Sequence, residues 1–188
     1  MSSKTVAVVR SSVPLALALA GGLAGGMVPL LAAPARAVPP LTVVAPEQQI
    51  ATVSRSMDTR IHLDLASRQI SVIRNGQRLG RWPVAIGDPK TPTPSGLFRV
   101  ENMRVNPQYQ STKSGKVNPV TGPKGPLGHR WIGFLQRGDD QFGIHGTPWP
   151  HWVKIRAAVS NGCVRMLNDH VQRLYELVDV GTPVLITR

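Results

Sequence analysis

Between Ile61 and Leu79 the chain alternates. Ile61, Leu63 and Leu65, then Ile70, Val72 and Leu79, are apolar positions set among polar ones, and Asn75-Gly76 stands between two of the runs. A period of two puts one set of side chains on one face of a strand. Asn-Gly is the dipeptide that most readily takes the positive φ angles of a tight hairpin. The stretch therefore reads as antiparallel sheet with one face to bury.

The rest of the chain continues that theme. TPTPSGLFRV sets turn-formers before a strand that begins near Leu97. From Met103 to Arg130, Gly, Pro, Asn, Ser and Lys dominate, which predicts a long irregular segment of the kind that often serves as a functional lid. WIGFLQ and FGIHG read as strands on either side of the turn RGDD. In NDHVQRLYELVDVGTP, Asn168 is an N-cap candidate, Val171, Leu174, Leu177 and Val178 form an apolar stripe, and Gly181 and Pro183 lie beyond the end. VLIT makes a last strand. The expected fold is a mainly β domain with one or two short helices (α+β) over residues 59–188, with no internal repeat and no second domain.

Ahead of that domain, Lys4 and Arg10 precede the uncharged run VPLALALAGGLAGGMVPLLAAPA, and Ala35-Arg36-Ala37 has the small residues of a cleavage site. Residues 1–37 read as a signal peptide with a mature terminus at Val38. The competing reading is an uncleaved anchor, since Val13 to Ala35 exceeds the roughly 18 apolar residues that cross a bilayer. The glycines, the prolines and the cleavage pattern favour removal. Either way the remainder faces the outside of the cytoplasmic membrane. Residues 38–58, rich in proline and polar side chains, read as a linker.

Of the formal charge of +12, Lys4, Arg10 and Arg36 carry three, so +9 belongs to the mature part. Scattered basic charge keeps a surface soluble, and it also attracts anionic partners. Export, and the lack of a basic helix, zinc pattern or stacking-aromatic motif, exclude nucleic acid. An anionic cell-envelope polymer fits both export and charge.

Exported chains commonly pair their cysteines, yet Cys163 is the only one here. It is an intermolecular partner, an inert buried residue or a nucleophile. A nucleophilic thiol, with an ordinary pKa near ~8.5, needs a base or a positive field. Five histidines are available. His62 alternates with strand residues and His170 sits in the first turn of the expected helix, facing solvent, whereas His129 and His151 lie in loop-like sequence and spacing does not rank them. His145 closes the strand FGI and opens into Gly146-Thr147-Pro148, where a side chain projects from a rigid element. Gly162 permits a tight turn whose amides converge on a developing oxyanion. Arg165 adds a cation able to hold a carboxylate. His145, His151, Cys163 and His170 match no paired zinc spacing, so no metal is expected.

GIHGT (Gly143 to Thr147), seventeen residues between His145 and Cys163, and SNGCVRM (Ser160 to Met166) together resemble the signature of the L,D-transpeptidase catalytic domain, also called the YkuD domain. TPTPSGLF, GPLGHRWIGF and DHVQRLYELVDVGTPVLI extend the resemblance over Ile61 to Arg188. It implies a β-sandwich or barrel in which Cys163 is the nucleophile and His145 its base. Ser160, Gly162 and Arg165 fall on motif positions that shape the site, and the Gly146 carbonyl falls where the family orients its histidine. Many members carry histidine where Asn161 stands, so a backbone role is expected there. The family cleaves the bond before the terminal D-residue of a peptidoglycan tetrapeptide stem, holds the stem as a thioester and passes it to an amine of another stem, an envelope lipoprotein, or water. No cofactor is implied, and a monomer in the periplasm or cell wall is expected.

Two other classes fit less well. Cell-wall cysteine peptidases place cysteine before histidine, and the short His-to-Cys interval argues against sortases as well. A non-catalytic peptidoglycan-binding module would have lost His145 or Cys163, and both are present.

Overall fold

The computed structural model describes residues 59–112 and 114–188, together with the backbone of Ala7 and Val8, which pairs antiparallel with Ser111 and Gln110. Apart from those two residues, the segments read as signal peptide and linker lie outside the described residues. Among the described residues no helix is long and apolar enough to cross a membrane.

The domain begins with β1 (Thr59–Asp64), β2 (Gln69–Arg74), β3 (Gln77–Pro83), β4 (Ile86–Gly87) and β5 (Gly96–Arg99). β6 (Asn102–Val105), β7 (Tyr109–Ser111) and β8 (Val117–Asn118) lead through a 3-10 turn at Gly122–Lys124 to β9 (Arg130–Arg137) and β10 (Asp140–His145). Helix α1 (Pro150–Lys154), β11 (Ala158–Ser160), β12 (Val164–Arg165), helix α2 (Asn168–Leu177) and β13 (Pro183–Thr187) follow.

One sheet has the order β3-β2-β1-β13-β5 and a second β12-β10-β9-β6, while β4 and β11 form a separate two-stranded ladder. Ile61, Leu63, Ile70, Val72, Val184 and Ile186 of the first sheet share one core with Trp131, Ile132, Phe134, Ile144 and Val164 of the second. Val171 and Leu174, on the apolar stripe of α2, are fully buried in it. The mainly β domain with two helices is the architecture the sequence pattern predicts. The parallel pairs β13 with β1, β12 with β10 and β11 with β4 carry no such local signal.

The Asn-Gly hairpin forms as expected: Arg74 pairs with Gln77, and Asn75 and Gly76 have φ of 50° and 78°. Leu79 departs from the predicted buried set, being 39% exposed. A register shift pairs Val72 with Gly80 and Ile73 with Arg78, leaving Leu79 as the extra residue of a bulge, and a bulge turns its side chains off the pleat. Residues 103–130 are also more ordered than predicted. Polar side chains hid β6, β7 and β8, which are held by backbone pairing and send only Met103 and Tyr109 against the core. At α2 the N-cap is Leu167, with no side-chain cap bond, and Asn168 is the first helical residue. His170 does not face open solvent. Its half-buried ring lies 6.3 Å from that of Trp82.

Candidate active site

His145 ends β10, and its setting follows from the pairing of β10 with β9. Trp131 is its cross-strand partner, and the two rings stack with centroids 5.9 Å apart and planes 22° from parallel. The indole is itself held, because Trp131 Nε1–H donates to Asn102 Oδ1 at 2.8 Å. Two glycines make room for it. A Cβ at Gly143 would come within 2.6 Å of the indole, and one at Gly133 within 2.8 Å of its Nε1. His145 is 4% exposed, and its Nδ1 lies 2.6 Å from the carbonyl oxygen of Gly146. A carbonyl oxygen only accepts, so Nδ1 carries the proton and Nε2 keeps its lone pair.

Cys163 reaches the same place by a different route. β12 pairs parallel with β10, Ile144 beside Val164 and His145 beside Arg165, so Cys163, the residue preceding β12, lies alongside Gly143, two residues before His145 on the same strand. The turn before it is tied internally. Gly162 N–H donates to Ser160 Oγ at 3.1 Å, and Ser160 O–H donates to the Cys163 carbonyl at 2.5 Å. Gly162 has φ of +103°, a left-handed conformation that disfavours side chains, and a Cβ there would lie 2.7 Å from the Phe142 ring. The turn is also braced from the segment around TPTPSG: Asp88 N–H and Thr91 O–H both donate to the Ser160 carbonyl, at 2.8 and 2.9 Å. Asn161 is exposed. The Gly162 amide is thus engaged within the turn and shapes it.

The thiol is buried, with Sγ 3.8 Å from the Gln141 carbonyl oxygen. Burial pushes the Cys163 thiol up to about 11, against smaller opposing effects from a backbone hydrogen bond at Gly143 and the Arg165 charge. Burial likewise brings His145 down to about 4, with the Arg165 cation acting in the same sense and the Gly146 carbonyl against it. The positive field of Arg165 is therefore outweighed by desolvation at the thiol. Burial thus opposes the charged form of each group and disfavours a preformed thiolate–imidazolium pair. Nε2 keeps a lone pair able to accept a proton.

Arg165 is half-buried, with its guanidinium 5.8 Å from the centre of the Trp149 ring. Tyr109, in the segment read as irregular, senses the charges of both Cys163 and Arg165, and the pKa of its hydroxyl is raised chiefly by burial. Neither Tyr109 nor Trp149 had a motif to mark it, although aromatics flanking a catalytic segment were a weak cue. His62 Nε2 lies 3.0 Å from Thr187 Oγ1, and His129 Nδ1 lies 3.1 Å from Asn106 Oδ1. His151 is exposed on α1. Among the described residues no three of His, Cys, Asp and Glu come together in a group able to hold a metal.

A buried thiol on a glycine turn, leading into the strand paired with the one that ends in a histidine of fixed tautomer, has the parts of a cysteine–histidine acyl-transfer domain. The family is that of the L,D-transpeptidase catalytic domain, whose model matches residues 58–186, and this chain belongs to it. The chain is 39% identical over 133 residues to the L,D-transpeptidase-family protein YqjB of Bacillus subtilis (strain 168), covering 69% of this chain and 72% of that one. Among solved structures, a cysteine-to-serine mutant of the Enterococcus faecium L,D-transpeptidase superposes with a TM-score of 0.54 at 25% identity, over 69% of this chain and 50% of that one. The Ldtfm-avibactam carbamoyl enzyme superposes with a TM-score of 0.56 at 26% identity, over 70% and 49%. The chain thus spans about half the length of those solved structures.

Proposed function

We propose that this protein is a peptidoglycan L,D-transpeptidase in which Cys163 attacks the tetrapeptide stem before its terminal D-residue. The observation that supports the reading is that both residues belong to one paired ladder: Arg165 lies beside His145, Cys163 stands two residues before Arg165, and His145 commits Nδ1 to Gly146, which leaves the Nε2 lone pair for the base role assigned to it. Attack moves the thiol proton to Nε2. The tetrahedral oxyanion forms beside the Asn161–Cys163 turn, where the Asn161 and Cys163 amides stabilise it while that of Gly162 stays bound to Ser160 Oγ. Collapse expels the terminal D-amino acid, which takes the proton from His145, and leaves the stem as a thioester on Sγ. An amine of a second stem or of an envelope protein then attacks the thioester, and His145 again carries the proton. Water in that place gives carboxypeptidation.

Arg165 holds a carboxylate of the donor stem, since it is the cation closest in sequence and register to the reacting pair. The basic mature surface draws the protein to an anionic wall. Export through residues 1–37 puts it there, in the periplasm or cell wall, as a monomer.

The test is incubation of the purified protein with a labelled tetrapeptide stem and candidate amines, followed by intact-protein and product mass analysis. The expected result is a stem adduct lacking its terminal residue, present on the parent protein and absent from Cys163→Ala. A carbapenem is expected to leave its mass on the same sulfur. Either mass persisting on Cys163→Ala removes this thiol from the mechanism. Product identity separates stem, protein lysine and water as acceptor.

A further inference from the structure

Asn168 stands where a helix cap was expected and does something else. From the first turn of α2 its side chain reaches away from the helix and ties three other segments together. Its Oδ1 accepts the His129 N–H at 3.0 Å, and its Nδ2 donates to the carbonyls of Thr147 and Pro123 at 3.2 and 3.3 Å. Both amide hydrogens and one oxygen lone pair are thus engaged.

The packing around it is equally specific. A Cβ on Gly146 would lie 2.1 Å from Asn168 Oδ1, and one on Gly128 would lie 2.2 Å from it. Only glycine at both positions admits the asparagine. Gly128, with φ of +63°, also sits so close that its Cβ would come within 2.5 Å of the Gly146 carbonyl carbon. Gly146 is the residue whose carbonyl accepts the proton of His145 Nδ1, and its own N–H is fixed to the Arg130 carbonyl at 3.2 Å.

The geometry points to Asn168 as a positioning residue for His145: by holding Thr147 and pressing on Gly146, it fixes the carbonyl that sets the histidine tautomer. This rests on the assignment of His145 as the base. Rotation of the Gly146–Thr147 peptide would swing that carbonyl away from Nδ1, and the ring would then be free to place its proton on Nε2, where it blocks the thiol. A carboxylate cannot take the place of the amide, because Asn168→Asp would set an acceptor, in place of two N–H donors, against the carbonyls of Thr147 and Pro123.

That substitution also separates this role from a purely helical one. A carboxylate in the first turn of a helix favours the helix, so a residue that served only α2 would tolerate Asn168→Asp. The experiment compares the parent protein with Asn168→Asp and Asn168→Ala by thermal melting, by carbapenem acylation of Cys163, and by proton NMR of the His145 Nδ1–H. Expected are folded variants whose acylation falls by about tenfold or more and whose sheltered Nδ1–H resonance is lost. The NMR reading does not depend on the peptidoglycan assignment, so failure of that assignment is distinguishable from failure of this one. Parent-like acylation, or slowed acylation with the Nδ1–H resonance intact, overturns the proposal. Loss of folding in both variants overturns it as well, making Asn168 a residue of the fold.

Discussion

The two arms of the site are built in different ways. His145 is immobilised by its surroundings: a stacked indole, a hydrogen-bonded carbonyl and nearly complete burial. Cys163 is placed by its backbone, through a left-handed glycine and a serine that bonds to two members of its own turn, and its buried sulfur meets β10 through the backbone at Gly143 and a 3.8 Å contact with the Gln141 carbonyl. The proposed base is thus held as a side chain and the proposed nucleophile as a turn. A general base must present one lone pair in one direction, whereas a nucleophile must approach its carbonyl along a set path, which a rigid turn can fix.

The largest effect expected from breaking this division is at the histidine. His145→Gln keeps most of the volume and loses the base, and acylation measured by mass spectrometry should fall by at least about a hundredfold. In the parent protein, burial sets the acid limb of the acylation profile near a pH of about 4 rather than at histidine's ordinary value, because the base works only when neutral. A limb close to 6.5 would mean that His145 titrates as an exposed histidine.

Next comes the turn. Gly162→Ala adds a Cβ 2.7 Å from the Phe142 ring at a φ of +103°, so the turn must shift. Acylation should drop by up to about a hundredfold, the scale for a misplacement of about 1 Å, and the melting temperature should fall with it. Retained activity with lowered stability would show that the thiol tolerates a displaced turn and would blur the contrast between the arms.

A smaller effect concerns stability. A histidine held near 4 when folded and near 6.5 when unfolded makes no differential contribution above 6.5, where both states are neutral. Between the two values the unfolded chain binds a proton that the folded chain refuses, so stability is lost as pH falls, by an amount on the order of 3 kcal/mol from this group. Melting curves across that window should show the loss in the parent protein and a flatter response in His145→Gln. Equal slopes would place the acid sensitivity elsewhere.

The smallest effect is expected at Asn161. It is exposed, and the proposed role belongs to its backbone, so Asn161→Ala should keep acylation within about threefold. A loss comparable to that at His145 would give the side chain a part in the chemistry.

Local patterns determined much of this protein. The period of two and Asn75-Gly76 specify β1, β2 and β3, because a hairpin needs only neighbouring residues and a turn that accepts positive φ. The stripe at Val171, Leu174 and Val178 specifies α2 in the same way. Cys163, His145 and Gly162 stood out as candidates, since a lone thiol, a strand-end histidine and a turn glycine each carry a physical reason, while the Gly146 carbonyl came only from the family resemblance. Only the tertiary structure decided the rest. Parallel pairing of β12 with β10 joins residues distant in the chain, Ile144 with Val164 and His145 with Arg165, and leaves no local trace, yet it brings the strand that follows Cys163 alongside the strand that ends in His145. The bulge at Leu79, the indole of Trp131 over His145 and the redirection of Asn168 from helix cap to loop tie are likewise outcomes of packing. Burial then decided the resting charge of the pair, because desolvation depends on everything that surrounds a group and not on its neighbours in the chain.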